Sequence, residues 1–234
     1  SELPAGVRWG ARYRTYAVNA PVYCAFLLRK ILSNGGRTKE RALSSLEEAF
    51  SLDSNVRAVV NCTGLGLGDD QSFIIRGISC PRLYLTPEIT VIGQTCLVQN
   101  PCSTTLTRQN GDGSWSFCIP RPLGGGTIIG GTKQPNDWDP NPSLETRAKL
   151  LENAAKWFPF AGGVSKFNVI RDIVGRRPAR EGGMRIEAEK QAENKFIFHA
   201  YGAGGRGFEL SRGAAEDVAL LMFENGVLRE RASL

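Results

Sequence analysis

Between Ile170 and Glu189 the chain reads Ile-Arg-Asp-Ile-Val-Gly-Arg-Arg-Pro-Ala-Arg-Glu-Gly-Gly-Met-Arg-Ile-Glu-Ala-Glu, with five arginines in the fifteen residues from Arg171 to Arg185. Neither an amphipathic helix nor an alternating strand sets arginines around a proline and a Gly-Gly pair in this way. The pattern points to an anion site, because the planar guanidinium fork grips a carboxylate through two parallel charge-assisted hydrogen bonds. A second constraint follows closely, since residues 199–213 read HAYGAGGRGFELSRG. Such a run brings backbone close to a group that leaves no room for side chains, and a bound ligand is the expected neighbour.

Composition narrows the remaining classes. The 234 residues suffice for one large or two intertwined domains. No apolar run approaches the ~18 residues of a membrane span, so no membrane partner is expected. The net charge is +6, yet bases alternate with acids, as in Lys39-Glu40-Arg41 and Arg229-Glu230-Arg231. That reads as solvated surface rather than a nucleic-acid face. Six cysteines (Cys24, Cys62, Cys80, Cys96, Cys102, Cys118) form no CxxC pair, and His199 is the only histidine. Neither a metal site nor a Cys–His nucleophile is therefore expected. The thiols read as reduced and mostly buried, in an intracellular protein. The chain opens on Ser1 with no secretory apolar stretch, and we expect a further segment in front of it.

Local patterns predict the elements. Val7–Tyr16 alternates like a strand; Asn19 is a candidate N-cap and Pro21 opens a helix with Tyr23, Phe26, Leu27 and Ile31 on one face, ended by Gly35-Gly36. Arg37–Leu43 reads as a short strand, and Ser44/Ser45 with Glu47/Glu48 as a capping box that starts a short helix. Val56–Asn61 reads as a buried strand, and the glycine turn 62–68 lies at its carboxyl end, the edge where α/β sheets bind ligands. Strands at 73–76, 94–99, 114–119 and 127–129 predict a mostly antiparallel sheet. Ser143 caps a helix to Trp157 with Leu144, Ala148, Leu151, Ala154 and Ala155 on its apolar side. Strands at 166–174, 184–189 and 195–199 precede a closing helix, Ala214–Asn225, carrying Val218, Leu220, Leu221 and Phe223.

Five stretches in order, VNCTGLG (60–66), CIPRP (118–122), GGTKQPNDWDPNPS (130–143), GRRPAREGGMRIEAE (175–189) and HAYGAGGRGFELSRGAAEDV (199–218), resemble the fungal D-amino-acid oxidases over nearly the whole chain. The resemblance implies a mixed α/β (α+β) fold: an incomplete FAD-binding α/β domain from residues 19–70 and 177–234, intertwined with an antiparallel-sheet substrate domain from 1–18 and 71–176. It implies FAD as cofactor and a D-amino acid and O2 as partners. The amino acid is oxidised by hydride transfer to the flavin, keto acid and ammonia are released, and O2 becomes H2O2. No protein acid or base is needed at the reacting carbon, so the protein's task is binding and orientation. That agrees with the lack of a Ser/His/Asp constellation here.

Carried over by motif, Arg177 holds the substrate carboxylate and the Gly205 carbonyl meets its amine. Gly204, Gly207, Phe208 and Glu209 wrap the flavin, while Leu43, Thr63 and Gly64 are further FAD contacts. His199 is read as a packing residue. Three positions depart from the family: Phe117 replaces a tyrosine, Lys133 an aromatic, and Arg212 a tryptophan. Lys133 invites an acidic side chain, as in the related D-aspartate oxidases, or points into water. The family's opening strand and GxGxxG turn, roughly its first third, are not in this sequence, so a non-catalytic remnant or binding protein is the other reading. The ending Ala232-Ser233-Leu234 resembles a peroxisomal address. Finally, residues 78–93 (ISCPRLYLTPEITVIG) interrupt the resemblance; without them FIIRG would run into QTCLVQN as one strand. The stretch reads as an in-frame intron or as a genuine surface hairpin or loop; the first is expected to give an exposed, poorly packed loop.

Overall fold

The computed structural model describes residues 6–69, 72–75, 91–132, 134–135, 139–158, 163–175 and 177–228. The strands among them are β1 (Ala58–Asn61), β2 (Ser72–Ile75), β3 (Val91–Val98), β4 (Leu106–Gln109), β5 (Trp115–Pro120), β6 (Thr127–Gly130), β7 (Gln134–Pro135), β8 (Val169–Gly175), β9 (Arg177–Arg180), β10 (Arg185–Ala192) and β11 (Lys195–Tyr201). The α-helices are α1 (Ala20–Ser33), α2 (Leu144–Trp157) and α3 (Gly207–Glu224). The fold is mixed α/β, with three sheets among the described residues.

The largest sheet runs β4-β5-β6-β3-β7, and β8 pairs with the other edge of β3. Every named pair in it is antiparallel. Its inward side chains Cys96, Val98, Cys118 and Ile129 pack with Leu150, Leu151, Ala154 and Phe158 of α2 and its end. Helix α2 starts where its cap predicts, because Ser143 Oγ accepts from the Thr146 amide at 3.2 Å. Its apolar stripe is turned from the predicted one, however: Leu144 is 71% exposed while Leu150 is buried. On that rotation the Arg147 guanidinium grips the buried carboxylate of Asp172 on β8.

The smaller sheet places β1 parallel to β11, with β10 antiparallel on the far side of β11. Ile197 and Phe198 of β11 are buried, and α3 packs over β10 and β11 through Ala214 and Val218. Strand β1 is an edge with Val60 exposed, not the buried strand its apolar run suggested. Between the sheets, β2 pairs antiparallel with β9.

Other expectations are corrected. Residues 7–19 form no strand, and Trp9 and Tyr13 stand 77% exposed; alternation alone makes no strand unless a neighbour takes up the backbone hydrogen bonds. Residues 37–43 form none either. Asn19 occupies the N-cap position of α1 but its Nδ2 donates to the Pro122 carbonyl at 2.8 Å, so it ties the helix entrance to the turn after β5 instead. None of α1 is buried. The capping box forms only in half: Ser45 Oγ accepts from the Glu48 amide, but the Glu48 carboxylate accepts from the Ser44 amide, not that of Ser45, and the element is a 3-10 turn, Glu47–Ser51, not an α-helix. Helix α3 begins at Gly207 rather than Ala214. Cys24 and Cys62 are exposed, and only Cys96 and Cys118 are buried among the described cysteines. The intron-like segment lies outside the described residues except for Val91–Gly93, which open β3.

Candidate active site

Strand β9 carries Arg177, and the chain ahead of α3 faces it. Gly202 and Gly204 take φ of +88° and +59°, which lets the chain leave β11 and turn through 204–206 into α3. A Cβ on Gly202 would lie 2.7 Å from Arg180 Cβ, and one on Gly205 would lie 3.3 Å from Arg177 Cδ. A side chain at Gly202 would collide with Arg180, and one at Gly205 would press on the stem of Arg177, so both glycines lie against the arginines of β9. Gly64, at φ +64°, brings the turn after β1 onto the same strand, its Cβ position 3.3 Å from Pro178.

These three pieces enclose a cavity of about 840 Å³. Its walls are mostly apolar, from Val60 and Cys62, Met184, Ala200 and Tyr201, and Phe208 and Val218, with Tyr23 and Leu27 of α1 at one side. Among the described residues lining it, Arg177 alone carries a charge. Its Nη1 is buried with no hydrogen-bond partner, and burial lowers the guanidinium pKa from its ordinary value. A desolvated cation with a free donor is costly unless an acceptor arrives, so the site is built for an anion. A groove of about 880 Å³ between residues 11–17 and 101–107 lacks this feature, since its arginines, Arg12 and Arg14, are exposed.

The cavity brings together Arg177, Gly64, Gly204, Gly205, Gly207 and Phe208 of the expected residues. Thr63 lies just behind it, holding the turn: its Oγ1 donates to Asn61 Oδ1 at 2.7 Å and accepts from the Leu67 amide at 3.1 Å. Glu209 is in the first turn of α3, with its carbonyl accepting from Tyr16 Oη. Leu43 and Phe117 do not line the cavity; the Phe117 ring is buried on β5 and covers Gly130. Lys133 lies outside the described residues. Arg212 points into solvent and pairs with Glu216. His199 is buried between Asn61 and Glu189, away from the cavity. Sequence reading missed the apolar walls. Val60 on β1, Met184 just ahead of β10 and Tyr201 at the end of β11 have nothing local to mark them, although Tyr201 stands next to the glycine run.

Arg180 braces β9. Its Nε donates to Asp69 at 2.7 Å, Ser72 Oγ donates to the same carboxylate, and Arg185 reaches it at 3.9 Å while donating to Tyr201 Oη. Desolvation works to raise the Asp69 pKa, but hydrogen bonds from Arg180 and Ser72 and the charge of Arg180 outweigh it, and the net shift is downward. A depressed carboxyl stabilises fully above its unfolded pKa of roughly 3.9 and loses that contribution as pH falls through the folded value. Asp69→Asn is expected to cost about 1.5–3 kcal/mol at pH 7. In urea titrations the gap to the parent should stay constant above about pH 5 and narrow progressively as the pH falls below about 4 toward the lowered folded value; a gap that does not narrow at all with acid would remove the ionic brace from the account.

A family profile described as FAD dependent oxidoreductase matches residues 1–221, and the chain belongs to that family. It is 50% identical over 226 residues to a D-aspartate oxidase of Talaromyces thermophilus, covering 95% of this chain and 56% of that one. Over 224 residues it is 31% identical to a D-amino-acid oxidase of Schizosaccharomyces pombe, covering 94% of this chain and 62% of the relative. The chain thus spans a little over half the length of these relatives. The glycine oxidase structure from Geobacillus kaustophilus aligns at 26% identity with a TM-score of 0.45, covering 64% of this chain and 38% of that one.

Proposed function

We propose that this chain supplies the substrate pocket and the flavin-facing wall of an oxidase that acts on a D-amino acid, with D-aspartate the preferred substrate. The observation that carries the reading is the buried, unpartnered Nη1 of Arg177 in an otherwise apolar cavity. Apolar walls with glycines at the mouth fit a flat aromatic ring, and the free guanidinium fits a small carboxylate beside it. Gly64, Gly204, Gly207 and Phe208 would hold the ring. When bound, FAD supplies the acceptor for the hydride that leaves the substrate's α-carbon. Arg177 grips the carboxylate and so fixes which face of the α-carbon is presented. Val60, Met184 and Val218 exclude water, which strengthens that grip. The imino acid released hydrolyses to keto acid and ammonia, and O2 leaves as H2O2.

The likeness to a D-aspartate oxidase and the presence of Lys133 where the family has an aromatic support an acidic substrate. Peroxide release from D-aspartate and D-alanine tests it. We expect kcat/KM for D-aspartate to exceed that for D-alanine at least tenfold, and Lys133→Ala to reduce the ratio by roughly tenfold, the worth of a lost charge-assisted contact. Equal rates would favour a general D-amino-acid oxidase, and no peroxide with either would favour a non-catalytic protein. The terminal Ala232-Ser233-Leu234 is proposed as the peroxisomal address; a fluorescent fusion that stays evenly cytosolic would refute it.

A further inference from the structure

Two ladders lie end to end beside Arg177, and their registers do not match in length. On one side a single residue, Arg176, separates β8 from β9. Ile75 on β2 faces Arg177, and Gly93 on β3 faces Gly175. Continuing the β2–β9 ladder in step would put Gly77 opposite Gly175, yet Gly93 stands there. The surplus is sixteen residues, 78–93, the same stretch that interrupts the sequence resemblance. Its removal sets one glycine in the place of another and leaves Gln94 opposite Val174, as now. The edge toward β7 closes too: Ile75 and Arg76 would take the positions of Val91 and Ile92 opposite Pro135 and Gln134.

We propose that residues 78–93 are the translation of a 48-nucleotide in-frame intron, and that the working protein lacks them. In that form β2 and β3 are one strand along β8 and β9, and the ladder that holds Arg177 is continuous with the core sheet. Sixteen is also an even number, so every side chain from Gln94 onward keeps its face.

Three measurements decide it. Transcripts should lack the 48 nucleotides, and cDNA that retains them throughout would overturn the proposal. Deletion of residues 78–93 from the full chain should raise the thermal midpoint by roughly 5 °C and slow amide exchange at residues 72–75, 177, 179 and 180 at least tenfold; a lower midpoint or unchanged exchange would overturn it. The register is tested by deleting residues 79–93, one fewer. That variant turns the following strand over, so it should fall well below the parent in midpoint, and equal stability of the two deletions would also defeat the idea. None of these readouts depends on FAD or on the substrate.

Discussion

Arg177→Lys in the FAD-loaded protein is expected to lower kcat/KM for D-aspartate by roughly ten- to a hundredfold while the flavin absorbance is retained. The estimate follows from losing one charge-assisted hydrogen bond, about 1.5–3 kcal/mol, at about 1.4 kcal/mol per factor of ten. Lysine keeps the charge but offers a point ammonium in place of the planar fork. Because the Arg177 stem packs beneath Gly205, the shorter headgroup also cannot hold the carboxylate in one orientation. Lost grip in the ground state raises KM, and lost orientation of the reacting carbon lowers kcat; we expect both. Unchanged KM and kcat would remove Arg177 from the site. Loss of flavin with unchanged kinetics in the fraction that keeps it would instead make the residue part of the cofactor wall.

What could be read in advance depends on whether the signal was local. Ser143 three residues before Thr146 is a cap whatever surrounds it, and α2 begins there. The arginine and glycine runs marked the two sides of the cavity because each breaks the pattern of an ordinary element. The strand β9 was hidden, since Pro178 sits within it and only its partner β2 makes it a strand. Val7–Tyr16 failed for the opposite reason: it has the alternation and no strand partner among the described residues. Gly202 is required by close approach to Arg180 and Gly205 lies against the stem of Arg177, neighbours that no sequence pattern aligns with them. The apolar lining was equally silent, because Val60, Met184, Tyr201 and Val218 meet only in three dimensions.

The largest effect on stability is expected at Arg147→Ala, far from the cavity. Asp172 has a side chain only 2% exposed, and Arg147 meets it with Nε at 2.9 Å and 3.1 Å from its two oxygens. The Asp172 hydrogen bonds are the largest cause of the raised pKa of the guanidinium. Removing the arginine strands a carboxylate inside the seam between α2 and β8, which costs about 3–5 kcal/mol. For a chain of this size that is roughly 10 °C in the thermal midpoint. The converse change, Asp172→Asn, should cost less, because Arg147 is 35% exposed and can turn its charge to water. Replacing both, Arg147→Met with Asp172→Leu, should recover most of the loss, since apolar groups of similar volume often substitute for a buried pair without penalty. Denaturant titration of the three variants checks the order: if Arg147→Ala proves no worse than Asp172→Asn, the pair does not anchor α2 and the helix is held by Leu150, Leu151 and Ala154 alone.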